Sequence, residues 1–219
     1  MSADTENLRD RTLQAMLELA ATGRWAVASM QDIATEAGLT LADLRTLFCS
    51  KAAILAAFVE VIDQKVLSQD FHFEDEDTPR DRLFEVLMSR FDSLGEHREV
   101  VSALCRDLPG NPLAAISLGP TALISTGWML EAAGISTSGP FGLLRTKGLL
   151  AVWLATLRVW LTDDSPDLSR TMAALDRYLR QAERAAIELQ RFEGPRRTTV
   201  ETDVVPKTEK TGEEKNGNH

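Results

Sequence analysis

Two helix-start signals separated by a glycine turn constrain this chain more than any other feature. Ser29 precedes Met30-Gln31-Asp32, and Thr40 precedes Leu41-Ala42-Asp43. In each signal a hydroxyl can accept from the backbone three residues on, and an aspartate can accept in return from the cap's own N–H. This is a capping box with Asp in the place usually taken by Glu or Gln. Between them lies Ala37-Gly38-Leu39, where Gly38 supplies the backbone freedom that a tight turn between helices needs. The pattern predicts a helix-turn-helix over residues 29–48, with Ile33, Ala34, Ala37, Leu39, Leu44 and Phe48 as its small shared core.

The remainder reads as helix throughout. An amphipathic segment from Thr5 to Ala21 carries Leu13, Met16, Leu17 and Ala20 on one stripe and stops at Gly23. Ser50-Lys51 restarts helix to about Ser68, with Ile54, Leu55, Phe58, Val59 and Ile62 on its buried face. The acidic run Glu74–Asp77 reads as a solvated linker. Beyond it the expected helices are Arg80–Leu94, Arg98–Leu108, Leu113–Leu118, Thr121–Ala133, Phe141–Leu161 and Pro166–Arg191. Gly119-Pro120 and Gly134 are the expected breaks, and Ser165 is the expected cap of the last helix. From Gly194 apolar residues almost vanish, which predicts a disordered tail. The expected fold is all-α, with a head over residues 1–68, a helical body over 79–192 and a tail over 193–219.

Charge and composition exclude several classes. The 219 residues hold 24 Lys and Arg against 33 Asp and Glu, a net charge of −9, so bulk electrostatic affinity for nucleic acid is disfavoured and any contact must be local. The uncharged stretch Leu108–Leu130 is interrupted by Pro109, Gly110, Pro112, Gly119, Pro120 and Gly127, and Leu143–Leu161 contains Arg145, Lys147 and Arg158. Neither suits a lipid-exposed span, so no stable membrane insertion is expected. The start of the chain has no room for an apolar leader, and the two cysteines, Cys49 and Cys105, are far apart. A cytoplasmic protein without a disulfide is expected.

Catalysis has little support. His72, His97 and His219 have no neighbours at metal-ligand spacing, and no nucleophile elbow or phosphate-cradling glycine loop is present. No catalytic residue, metal or cofactor is expected, and the chain is read as a non-enzyme. Cys49 beside Lys51 has features that lower a thiol pKa, but a partly buried ordinary cysteine explains it better than a redox sensor. Asp163-Asp164 and Asp167 read as a helix start rather than a cation site. Large apolar side chains concentrate in the back half. Leu87, Met88, Phe91, Trp128, Met129 and Trp153 are the candidate lining of a pocket for a small apolar or lipid-like effector, with plain core packing as the alternative. For DNA, the second helix of the pair would enter the major groove with its N-terminal end leading. The candidate contacts are Ser29, Thr40, Leu41, Arg45, Thr46 and Lys51, with Arg45 able to reach a phosphate or a guanine edge.

The segment Ser29–Leu55 resembles the N-terminal domain of TetR-type regulators at Ile33-Ala34, Ala37-Gly38, Thr40, Leu44, Phe48 and Ser50-Lys51. That resemblance implies a three-helix DNA-binding head, a helical ligand-binding body and a homodimer in which the last two helices pair across a four-helix interface. It implies a transcriptional repressor that binds operator DNA. The sequence departs from the family pattern at Ala42, where a glycine is usual, at Arg45, where an aromatic is usual, and at Leu47, where a histidine is usual. A second resemblance covers Trp160–Asp167, with Thr171, Leu175-Asp176 and Leu179. It is to TetR-fold accessory proteins of ubiquinone biosynthesis, and implies lipid binding without DNA binding as the alternative.

Overall fold

The computed structural model describes residues 3–107, 112–139 and 141–192, so the tail expected over 193–219 lies outside the described residues. Every regular element among them is a helix: α1 (Ala3–Ala21), α2 (Met30–Glu36), α3 (Leu41–Leu47), α4 (Lys51–Leu67), α5 (Pro79–Gly95), α6 (Arg98–Asp107), α7 (Pro112–Ala132), α8 (Gly142–Trp160) and α9 (Ser169–Phe192). None is long and apolar enough to cross a membrane.

The helix-turn-helix forms as its caps dictate. The Ser29 hydroxyl accepts from the Asp32 N–H, and the Asp32 carboxylate accepts from the Ser29 N–H; Thr40 and Asp43 repeat the exchange on α3. Hydrogen bonding from the Ser29 side chain and backbone holds the Asp32 carboxyl below the usual range. The turn closes as a Schellman motif: the Leu39 N–H donates to the Ala34 carbonyl and the Gly38 N–H to that of Thr35. Gly38 has φ +65°, and its own carbonyl accepts from Arg11 of α1 at 2.7 Å. Ile33, Ala34 and Leu44 are fully buried against Met16, Leu19 and Ala20 of α1.

α4 belongs to both halves. Ile54, Ala57 and Phe58 join the head's core, while Ile62 and Val66 join that of α5, α7 and α8, so the buried apolar residues form one continuous cluster. α8 and α9 pair along their lengths, and α5 crosses α9. Phe91 of α5 is fully buried, stacked on Trp153 at 4.4 Å and tilted against Trp160 at 5.6 Å.

Two expected boundaries differ. Gly119-Pro120 does not break α7, which runs through Pro120 as one helix. Proline removes one ladder bond and costs roughly 3 kcal/mol in a helix interior. Here both Pro120 and Ile116, whose carbonyl loses its donor, lie on the exposed side, where water can serve that carbonyl. Burial of Ser125, Thr126, Met129, Leu130 and Ala133 further along holds the helix in place. The last helix begins at Ser169 rather than Pro166, because Ser165–Leu168 form a turn in which Leu168 takes φ +53°.

Candidate nucleic-acid interface and ligand cavity

The outer face of α3 presents Leu41, Ala42, Asp43, Arg45 and Thr46 to solvent, while Leu44 is fully buried and Leu47 half-buried. The candidate contact residues divide into two groups. Ser29 and Thr40 spend their hydroxyls on the capping boxes, and the Thr46 hydroxyl donates to the Asp43 carbonyl at 2.6 Å. The Lys51 Nζ turns back to donate to the carbonyls of Trp25 (2.5 Å) and Ala28 (2.9 Å), and lies 4.6 Å over the Trp25 ring. Ser29, Thr40 and Thr46 are therefore spent on bonds at or within their own helices, and Lys51 ties the start of α4 to the turn before α2. Leu41 and Arg45 remain as outward-facing groups, and among the described residues Arg45 has no hydrogen-bond or ion-pair partner. Elsewhere in the head Arg9 pairs with Glu60 and Arg24 with Glu36. Asp43 would repel a phosphate, but its carboxylate is bound to the Thr40 hydroxyl at 2.5 Å.

A cavity of about 310 Å³ lies where head and body meet. Trp25, Lys51 and Ala52 of the head line one end, Phe58 and Ile62 of α4 its side, and Arg90, Leu104 and Trp153 the body's end. Of the six residues expected to line a pocket, Trp153 does so. Leu87, Phe91 and Met129 are fully buried core, Met88 packs against that core, and Trp128 is 53% exposed on α7. Large apolar residues on α5, α7 and α8 serve packing and lining alike, so residue type did not separate the two roles.

Arg90, which the sequence pattern did not single out, is a buried charge on the cavity wall. Only 6% exposed, it bonds through Nη2 to Asp63 Oδ1 at 2.9 Å, and its guanidinium carbon sits 4.5 Å over the Trp153 ring. Ser125 donates to the same carboxylate oxygen at 2.9 Å. Burial pushes the Asp63 carboxyl up and the guanidinium down from their ordinary values, and each charge opposes the other's shift. The Arg90 Nε–H is buried without an acceptor. The available signal was position: Arg90 falls on the apolar stripe of Leu83, Val86, Leu87 and Leu94, where a solvated arginine does not belong.

The Trp160–Thr171 segment proves to be a corner. The Asp163 side chain, fully buried, accepts from the Thr171 N–H (2.8 Å) and hydroxyl (2.7 Å) through one oxygen. Through the other it accepts from the Ser165 N–H (3.1 Å) and hydroxyl (2.5 Å). Asp163, rather than Ser165, thus caps α9. Burial raises its pKa, but these hydrogen bonds outweigh that and hold the carboxyl far below the usual range. Arg98 of α6 donates to the carbonyls of Trp160 and Asp163, satisfying the end of α8. Along α8 and α9, Leu143, Leu144, Leu154 and Ile187 are exposed, and Leu144 and Ile187 flank a surface groove of about 480 Å³.

Solved structures share this architecture. A TetR transcriptional regulator from Nitrosomonas europaea ATCC 19718 is 22% identical, with a TM-score of 0.60 over 80% of this chain and 97% of that one. A TetR transcriptional regulator from Rhodococcus sp. RHA1 is 21% identical, with a TM-score of 0.61 over 82% of this chain and 97% of that one. The chain therefore has the TetR-type fold, a helix-turn-helix head on a helical body. No protein-family model and no curated protein matches the sequence.

Proposed function

We propose that the protein is a DNA-binding transcriptional regulator, a cytoplasmic homodimeric repressor that releases its operator when a small apolar effector enters the body. The observation that carries this reading is a cavity lined jointly by the head and the body. Trp25 and Lys51 sit at one end of it and Arg90 and Trp153 at the other. A molecule that fills it touches α4 and the turn before α2 at once, so it favours one placement of the head over another. Leu41 and Arg45 make the groove contacts, while Ser29 and Thr40 cap the two helices of the pair and Lys51 ties α4 to the turn before α2. The exposed apolar residues of α8 and α9 supply the dimer face, which gives one operator two heads and offsets the acidic surface of each.

The test is fluorescence anisotropy with duplex DNA from upstream of the protein's own coding sequence, at two salt concentrations. Specific binding should weaken as salt rises, and Arg45→Ala should cost about 1–3 kcal/mol per head if it reads a base edge. Absence of sequence-specific binding at low salt, together with a lipid that co-purifies, would overturn this reading in favour of the lipid-binding accessory role.

A further inference from the structure

We propose that the cavity between head and body takes a small apolar carboxylic acid as its anion, with the carboxylate received at Arg90. The proposal rests on reading this cavity as the effector site, and does not depend on DNA binding.

Three observations lead to it. Arg90 is buried to all but 6%, lines the cavity, and keeps one donor, its Nε–H, without an acceptor. A buried charged donor left unmet is costly, and an incoming carboxylate oxygen meets it with a charge-assisted hydrogen bond. The guanidinium is also fixed in advance. Asp63 holds it through Nη2, Ser125 steadies that carboxylate, and the Trp153 ring lies under the guanidinium plane. A ligand therefore finds the donor already oriented and loses little to side-chain ordering.

The charge balance gives the sign. The two charged side chains that line the cavity, Arg90 and Lys51, are both cationic, in a chain whose net charge is −9. No carboxylate lines the cavity beside them among the described residues, so an anion meets no like charge there. A cationic ligand would face both at short range in a medium of low dielectric. The walls set the rest of the molecule. Phe58, Ile62, Leu104 and Leu157 are apolar. At about 310 Å³ the space lies at the small end of the roughly 300–1,000 Å³ usual for ligand sites, which suits a single ring or a short chain.

The experiment titrates the full-length protein with sodium benzoate and sodium hexanoate, and with benzamide and hexanamide as uncharged counterparts. Calorimetry and tryptophan fluorescence give the readout, since Trp25 and Trp153 line the cavity. The acids should bind saturably and the amides about tenfold more weakly, the step from a charge-assisted to a neutral hydrogen bond. The double variant Asp63→Asn/Arg90→Met removes both charges together, so that neither is left buried alone. It should stay helical by circular dichroism and bind acid and amide alike. Equal affinity of acids and amides for the unaltered protein would overturn the proposal, even if the double variant failed to fold. So would a retained preference for acids in the folded double variant, or no acid binding at millimolar concentration. A protein that binds the acids but no DNA would leave this site standing and remove the regulator. One that binds operator but no acid would do the reverse.

Discussion

Replacing Asp163 by alanine should destabilise the chain well beyond an average substitution. The carboxylate accepts four hydrogen bonds, two from Ser165 and two from Thr171. Ser165 is half-buried and recovers water when they are lost. Thr171 is fully buried, so its N–H and hydroxyl lose their acceptor in a dry site. A buried donor without a partner costs about 1–3 kcal/mol, and the hydroxyl can turn toward a carbonyl of the preceding turn while the N–H cannot. The expected loss is about 3 kcal/mol, a large share of the ~5–15 kcal/mol by which domains are stable. At roughly 2–4 °C per kcal/mol for a chain of this size, Tm should fall by about 6–12 °C, read by circular dichroism at neutral pH. Acid should shrink the difference. In the folded chain the Asp163 carboxyl sits below its ordinary range, so the unfolded chain takes the proton first. The contribution is then complete above the unfolded Asp value near 4, and is lost as pH falls through that value toward the folded one. A fall of less than about 2 °C at neutral pH, or a gap that widens in acid, would refute the role given to this carboxylate.

Other substitutions probe the remaining joints. Gly38→Ala forces a side chain into φ +65° and sets its Cβ 2.7 Å from Arg11 Nη2; the left-handed backbone alone costs about 1–2 kcal/mol, and a Tm unchanged from the parent would contradict the turn described. Phe91→Ala should cost about 3–5 kcal/mol by chemical denaturation. Trp128→Ala, on the exposed side of α7, should stay within about 0.5 kcal/mol for the monomer; equal losses would mean that the two aromatics have been assigned the wrong environments. Leu144→Glu with Ile187→Glu should give a folded monomer by light scattering, and an unchanged dimer mass would place the interface elsewhere.

Legibility in the sequence followed the range of the interactions. The boxes at Ser29/Asp32 and Thr40/Asp43 span three residues, and so does the box at Thr78/Asp81 that opens α5. Such contacts depend on local spacing alone. Asp163 caps a helix from eight residues away across a turn with a positive φ at Leu168, so the nearer Ser165 looked like the cap. Gly119-Pro120 looked like a stop because proline is a strong local breaker; packing of the far half of α7 against α4 and α8 decided otherwise. Arg90, Asp63 and Ser125 lie on three different helices, and nothing along the chain announces that they meet. The head is the part written in short-range contacts, and the cavity the part written in long-range ones.

The double membership of α4 bears on how such a protein can be taken apart. Ile54 and Phe58 are cut from one cluster with Ile62 and Val66, and the helix has no break between them. Severing the chain after residue 68 would strip the far end of α4 of the helices that cover it, exposing Ile62 and Val66 beside the buried Asp63. A head transplanted onto a foreign body would therefore need its last helix re-matched, turn by turn, to the new host. Chimeras joined inside the loop before α5 should aggregate, and those that exchange only the outer face of α3 should not. Leu41, Ala42 and Arg45 on the outer face of α3 are, by contrast, side chains whose replacement leaves every buried contact in place.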